Sequence, residues 1–338
     1  LHNIQLRVKK FFVSFSILSS MLGLAQTGTN VYPFLNIPVS ARQAALGGDV
    51  VSIKDSDVNF SAVNPALLNV DMHNQVGVNA AMYLAGSTYG TANYARDLEN
   101  GHFISVNARF MDYGKMPRTD EAGIVSGEFG ALDASFGAGY AYQFEEEWTI
   151  GANVNFITSS IDTYSSMAVS GNFGVSYHFK KSKETVGLVA RNFGYQIKSF
   201  NGNTERLPFR VDFGYTKIMK QFPAALTVTV HDLQQFDISS PYNNNGQEVK
   251  LPRKIFDHFS FGAEIFPEKS FNIRLGYNVK RGNELAVLEQ RSFSGLSAGF
   301  GLKFDKFKFD YAHVRYHNAA NMNIIGVSVD FSRNRFDP

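Results

Sequence analysis

From residue 74 onward the chain alternates with a period of two, and this constrains it more than anything else in the sequence. In residues 132–144, Leu132, Ala134, Phe136, Ala138, Tyr140, Tyr142 and Phe144 interleave with Asp133, Ser135, Gly137, Gly139, Ala141 and Gln143. Successive side chains of a strand point to opposite faces, so this segment presents one wholly apolar face and one small or polar face. Residues 169–179 repeat the pattern, with Val169, Phe173, Val175, Tyr177 and Phe179 against Ser170, Asn172, Gly174, Ser176 and His178. Residues 271–279 and 296–304 do the same. The alternating segments are 75–83, 87–95, 102–112, 131–144, 147–158, 168–179, 185–193, 206–218, 223–234, 257–266, 270–280, 294–304, 306–315 and 322–331. About fourteen strands, an even number, is what a single-chain bacterial membrane barrel requires. The segment 185–193 fits least well, because Val189 and Arg191 fall on the face that is otherwise polar or small.

A water-soluble sandwich also alternates, but its apolar faces must pack on another sheet, and this many strands would need two cores. A stripe of aliphatic and aromatic side chains on nearly every segment suits lipid instead. Closure of the sheet removes the unpaired edges that a bilayer does not tolerate. Connection lengths agree. Short turns at 96–101, 145–147, 180–184, 219–222, 267–269 and 305 join alternate pairs, while longer connections at 113–130, 194–205, 235–256 and 281–293 fill the other slots. Only 84–86 is short among the long ones. Barrels with short periplasmic turns and long outer loops alternate in this way. Phe144 with Trp148, Phe266 with Phe271, and Phe304 with Phe307 bracket short turns, as an interfacial girdle would.

Composition excludes the main competitors. Charged residues are 18% of the chain, below the ~25% of soluble domains, yet mean hydropathy is only −0.15, which a bundle of membrane helices would exceed. A net charge of +2 is too small to mark a nucleic-acid binder. The absence of cysteine excludes a disulfide scaffold, a thiolate metal site and a lipidated cysteine.

The amino-terminal residues read as an export signal over 1–25. Arg7, Lys9 and Lys10 precede an apolar run, and Gly23 and Ala25 supply the small residues before a cut at Gln26. The run is about 14 residues long and carries four serines, whereas a spanning helix needs ~20. Residues 26–73 lack any period. Pro33, Pro38, Gly47, Gly48 and Pro65 interrupt them, and brief helical turns fit at 44–46 and 66–68. This predicts a compact plug inside a barrel spanning 74–331, followed by a short extension, 332–338.

Residues that resemble catalytic or metal motifs sit in the wrong local structure. Gly295-Leu296-Ser297-Ala298-Gly299 matches the serine-hydrolase elbow, which needs a strand-to-helix turn, but here lies in an alternating strand. An outer-membrane lipase would rest on Ser297 alone. His313 and His317 are four apart, a helical chelate spacing that becomes roughly 13 Å in a strand. Gly137, Gly139, Gly299 and Gly301 read as glycines that leave room inside a barrel. Asp133, Arg210, Asp212, His231, Glu264 and Arg274 fall on the inward parity. No catalytic, cofactor or metal set emerges.

Two motifs carry a resemblance. Pro38-Val39-Ser40-Ala41-Arg42-Gln43-Ala44-Ala45-Leu46-Gly47-Gly48 resembles the amino-terminal signature of the PorV/PorQ group, outer-membrane barrels of the type IX secretion system. Asp57-Val58-Asn59-Phe60, leading to Asn64-Pro65-Ala66, is similar to the Asn-Pro-Ala motif that this group shares with FadL-type transporters; Asn192-Phe193-Gly194 also recurs there. Size and mature start are most similar to PorQ-like members. The resemblance implies a FadL-like barrel of fourteen strands in an attachment complex with PorU-, PorV- and PorZ-like partners, located in the outer membrane with its loops at the cell surface and in contact with lipopolysaccharide.

The expected function on this basis is a non-enzymatic scaffold that holds a PorZ-like partner through its outer loops. In the loop 235–256, Phe236, Ile238, Tyr242, Val249, Leu251 and Phe256 form the expected contact surface, since exposed apolar groups rimmed by polar ones mark interfaces; the competing reading folds the same side chains inward to cap the barrel mouth. The alternative is a FadL-like channel for small hydrophobic molecules. Such a channel should have an apolar lumen, whereas the inward parity is mostly Ser, Asn, Gly and charged residues, which favours the scaffold.

Overall fold

The computed structural model describes residues 30–83, 86–120, 122–243, 246–284, 293–317 and 320–332. The leader reading over 1–25, most of the loop 281–293, and the extension beyond 332 fall outside these residues. The strands are β1 (Gln75–Met82), β2 (Thr88–Asp97), β3 (His102–Thr119), β4 (Val125–Gln143), β5 (Trp148–Ile161), β6 (Tyr164–Phe179) and β7 (Glu184–Lys198). They continue as β8 (Arg210–Ile218), β9 (Ala224–Val230), β10 (Phe259–Ile265), β11 (Phe271–Asn278), β12 (Leu296–Phe304), β13 (Phe307–His317) and β14 (Ala320–Asp330). Three short helices accompany them: α1 (Ala41–Ala45), α2 (Leu251–Phe256) and α3 (Val279–Glu284).

Each strand pairs antiparallel with its sequence neighbours, and β1 closes on β14 with Gln75 opposite Asp330 and Met82 opposite Asn323. The fold is a closed all-β barrel of fourteen strands. Alternation sets which face is which. Phe136, Val154 and Leu275 are about half exposed on the outside, while Asp133, Ser135, Asn153, Asn155 and Arg274 are buried within. At the short-turn end the outer face carries a run of rings. His102 stacks on Tyr142 at 4.6 Å, Phe144 on Trp148 at 6.4 Å, and Tyr177 meets Trp148 and Phe179 edge-on.

Two parts of the barrel depart from the sequence expectation. The connection 113–130 is not an irregular loop. β3 and β4 continue through it as a paired hairpin to Thr119 opposite Val125, with a bulge between Asp112 and Lys115. Lys115, Arg118 and Glu128 carry this hairpin beyond any lipid belt, so neither face needs to be apolar and the period disappears. Gly114, at φ 71°, takes a backbone shape that favours glycine and sits in the bulge. The second departure is β7, which runs on to Lys198 through a bulge opposite Gly171–Phe173. Asn192 adopts φ 56°, so Arg191 and Asn192 both turn inward, and parity is reset: Phe193, Tyr195 and Ile197 then face outward. The misfit at 189 and 191 has another source: both face inward in regular parity, Val189 packing on Val39, Val51, Ala62 and Val63 and Arg191 pairing with Asp212.

Residues 30–73 lie inside the barrel and are almost wholly buried. Their own core joins Leu46, Val50, Ile53, Phe60 and Leu67. Short turns follow local capping chemistry: Ser40, Asp57, Asn64 and Asn69 each accept a hydrogen bond from a backbone N–H two or three residues on. The wall gives way to this segment. Gly187 of β7 faces Gly214 of β8 across the pair, and Gly262 of β10 faces Gly276 of β11. A Cβ on Gly187 would stand 2.3 Å from the Val51 carbonyl oxygen, and one on Gly276 would stand 2.2 Å from the Gly47 nitrogen. Only glycine admits such an approach of backbone to backbone.

Candidate functional site

The lumen is the one place where the amino-terminal motifs and the inward-facing residues of many strands meet, and it is built in three layers. At the short-turn end Val58, Leu68 and Met72 of the segment pack on Ala95, Phe103 and Ala141 of the wall.

The middle layer is polar and holds two buried ion networks. In the first, Arg42 Nη2 lies 2.7 Å from both Asp55 and Glu264, and Nη1 lies 3.4 Å from Asp57. Arg274 continues it to Glu264 at 2.7 Å and to Asp310 at 2.6 Å, and Lys308 reaches Asp57 at 3.2 Å. In the second, Arg210 contacts Asp49, Asp212 and Asp232 at 2.9, 3.2 and 3.3 Å, and Arg191 contacts Asp212 at 2.9 Å. Asn278 donates to Asp49 at 2.8 Å. Each network therefore joins the segment to the wall. Burial alone would raise the Asp49 carboxyl; the Arg210 guanidinium, with His231 and Arg281, outweighs it and lowers the group to about 2. Burial, reinforced by the Lys180 charge, lowers the Lys54 ammonium to about 8.

The amino-terminal motif residues are all placed here. Ser40 caps α1, Ala41 N–H donates to Asn79, and Pro38 packs beside Gly48. Gly47 and Gly48 both have φ 95°, which turns the chain back after α1. The Asn64 amide donates to the Val51 carbonyl at 2.9 Å, Pro65 presses on Gly151, and the Ala66 carbonyl accepts from Ser176 at 2.7 Å. Asn59 receives donors from Asn79 and Asn93 at 3.0 and 2.9 Å. Of the other inward candidates, Arg210, Asp212, Glu264 and Arg274 sit in the networks, and His231 lies 2.8 Å from Asp232. Asp133 stands apart, accepting from Tyr113 and Ser159.

The motif look-alikes have structural roles. Ser297 donates to the Ala45 carbonyl at 3.0 Å and accepts from Gly47 N–H at 3.2 Å, so its hydroxyl fastens the segment. His313 lies in extended β13 opposite Asn323, its Nδ1 2.9 Å from that side chain; the His317 side chain is outside the described residues. Gly299 makes room for Ala45, while Gly137 and Gly139 make room for wall residues Asn155 and Ser105.

The third layer corrects the expectation of a polar lumen. At the long-loop end much of the inward face is apolar: Ala81, Tyr89, Met111, Ile157, Val314, Met322 and Ile324 line it, with Asp133, Ser159, Ser166 and Gln196 between them. Val31, Tyr32, Phe34, Leu35 and Ile37 fill it. Polar tethers are few but specific. Arg109 donates to the Leu35 carbonyl at 2.9 Å, the Asn192 amide donates to Asn36 at 3.1 Å, and Val31 N–H donates to the Arg206 carbonyl at 3.0 Å. Reading parity strand by strand missed this layer, because only the residues nearest one end of each strand change character.

The loop 235–256 also differs from expectation. Phe236, Tyr242, Leu251 and Phe256 are exposed, but Val249 is buried at 4% and Ile238 is half-buried. Val249 is drawn inward because its N–H donates to the Pro241 carbonyl and Tyr242 bridges to Glu248. The two residues therefore contribute little or nothing to an exposed contact surface.

No family model matches the sequence, and no curated protein matches it. Solved structures do match. The CymD monoaromatic hydrocarbon channel superposes with TM-score 0.55 at 13% identity, over 87% of this chain and 97% of that one. The toluene transporter TodX of Pseudomonas putida gives 0.53 at 12%, over 89% and 98%. A FadL homologue of Pseudomonas aeruginosa gives 0.51 at 10%, over 87% and 98%. The chain shares the fold of these FadL-like outer-membrane barrels.

Proposed function

We propose that this barrel is an outer-membrane channel for small hydrophobic molecules, with residues 30–73 as its internal plug and the long-loop end facing outward. The apolar layer at the long-loop end carries this reading. An aqueous pore for ions or sugars has no use for such a lining. An apolar mouth concentrates hydrophobic solute, and Phe34 and Leu35 occupy it as such a solute would. The shared fold with CymD and TodX supports the same class of cargo. Uptake of radiolabelled toluene by cells producing the barrel tests the proposal. Uptake should exceed that of cells without it and should fall to that level in Ile324→Asp; equal uptake in all three would refute it.

A second reading follows the PorV/PorQ-like motifs: a type IX secretion scaffold that holds a PorZ-like partner, with PorU- and PorV-like proteins in the same complex. The exposure of Phe236, Tyr242, Leu251 and Phe256 favours it. Replacing 238–252 by a Gly-Ser linker should then release the partner from detergent-solubilised complexes while toluene uptake stays unchanged.

A further inference from the structure

The helix α2 is too short to be stable alone, yet its six residues and the preceding Lys250 divide cleanly. At about 100° per residue, Leu251, Ile255, Pro252 and Phe256 occupy one arc of roughly 140°, and Arg253, Lys250 and Lys254 fill the opposite side. Leu251, Ile255 and Phe256 are 57%, 45% and 57% exposed, a high cost in water for three neighbouring large apolar groups. The basic side is arranged differently. Arg253 donates to the Asn283 carbonyl at 3.2 Å and lies 3.8 Å from Asp257, and Lys254 pairs with Asp237. These contacts tie the basic side to neighbouring loops and leave the apolar side uncovered.

What lies next to that apolar side is the outward face of the wall. The Phe256 ring is 6.0 Å from Phe259, which stacks at 6.1 Å on Phe261, and Phe261 is on the outward face of β10. The row of rings thus runs without interruption from the membrane-spanning wall into the helix. Phe236, 66% exposed, lies beside Leu251 and Lys254, where a shallow open groove of about 460 Å³ is lined also by Glu248, Val249 and Lys250.

We propose that α2, with Phe236, is an interfacial anchor: its apolar side is embedded among the acyl chains of the leaflet at the long-loop end, and Lys250, beside the Lys254–Asp237 pair, reaches up to the headgroups. An apolar arc opposed by lysine and arginine is the composition of helices that lie in a membrane surface, and long basic side chains extend their charge toward water from such a position. The occupant of this face is therefore lipid. The inference is independent of the channel reading and takes Leu251 and Phe256 away from a protein partner.

Depth-dependent quenching tests it. Trp148 is the only tryptophan, so Trp148→Phe gives a silent background into which Leu251→Trp, or Ser126→Trp on the exposed tip of the β3–β4 hairpin, is introduced. The folded proteins, checked by heat-modifiable migration on a gel, are reconstituted in vesicles of phosphatidylcholine with or without bromine on the acyl chains. Tryptophan at 251 should lose at least half of its emission in brominated lipid, and that at 126 should change little. Equal, small quenching at the two positions, with emission at 251 as red as at 126, would overturn the proposal.

Discussion

Arg42→Met is the most informative single change, because Arg42 belongs to the internal segment while most of its partners survive its removal. The side chain is 5% exposed and neutralises parts of Asp55, Asp57 and Glu264. Removing one member of a buried ion pair typically costs 3–5 kcal/mol, because a charge is left without compensation. Here the lower end applies. Glu264 keeps Arg274 at 2.7 Å and Asp57 keeps Lys308 at 3.2 Å, so neither acid is abandoned. About 3 kcal/mol multiplies the population of a released segment roughly a hundredfold. The barrel wall, held by its own strand ladder, should be untouched. In planar bilayers Arg42→Met should therefore raise the frequency of open-channel events about a hundredfold, with heat-modifiability on a gel unchanged. Arg274→Met is the contrast. Its partners Glu264 and Asp310 are both wall residues, so it should weaken the barrel more than the seating of the segment. An Arg42→Met protein as silent as the native one would mean that the network does not hold the segment in place.

Three further outcomes follow. Because the Asp49 carboxyl is lowered to about 2 from an ordinary 3.8, its contribution is full above pH 3.8 and is lost as pH falls through 2; open events should become more frequent between pH 4 and pH 2, and less so in Asp49→Asn. Phe136→Arg and Leu275→Arg, on half-exposed outward positions, should each cost ~2–4 kcal/mol of membrane insertion, read as heat-modifiable protein in membranes, whereas Ser126→Arg should insert normally. Single cysteines in 113–130 or 235–256 should react with an impermeant thiol reagent on intact cells and one at 145–147 should not, the reverse result inverting the orientation.

The strands were legible in the sequence because lipid on one side and a filled lumen on the other enforce opposite chemistry on alternate residues. That enforcement stops where the lipid stops, which is why the paired hairpin beyond Asp112 and Leu132 read as loop. It also fails where one extra residue enters a strand, as at Asn192, since every later side chain then changes face. The amino-terminal motifs stood out by composition, but their partners did not. Arg42 and Glu264 are separated by more than two hundred positions, and nothing local in either indicates the other. The paired wall glycines were visible as small inward residues; that Gly187 abuts the Val51 carbonyl and Gly214 the Ser52 and Val51 side chains depends on the closed geometry. The apolar end of the lumen was hidden by averaging each inward face along its whole length.

The glycine clearances bear on the order in which the molecule is completed. With the Val51 and Gly47 backbones fitted against the wall on different sides of the lumen, the segment and the closed ring match each other to within the width of a side chain. The last seam to form is between β1 and β14, the two ends of the sheet. β1 begins directly after the internal segment, so the first strand to leave the ribosome waits for the last before it gains its second neighbour. The seam joins residues as distant in sequence as Gln75 and Asp330. Loop-closure entropy for so distant a pair is large and is incurred before the pairing returns anything. A segment seated early would shorten that search, because its charges would give the arriving strands somewhere to gather before the ring is shut.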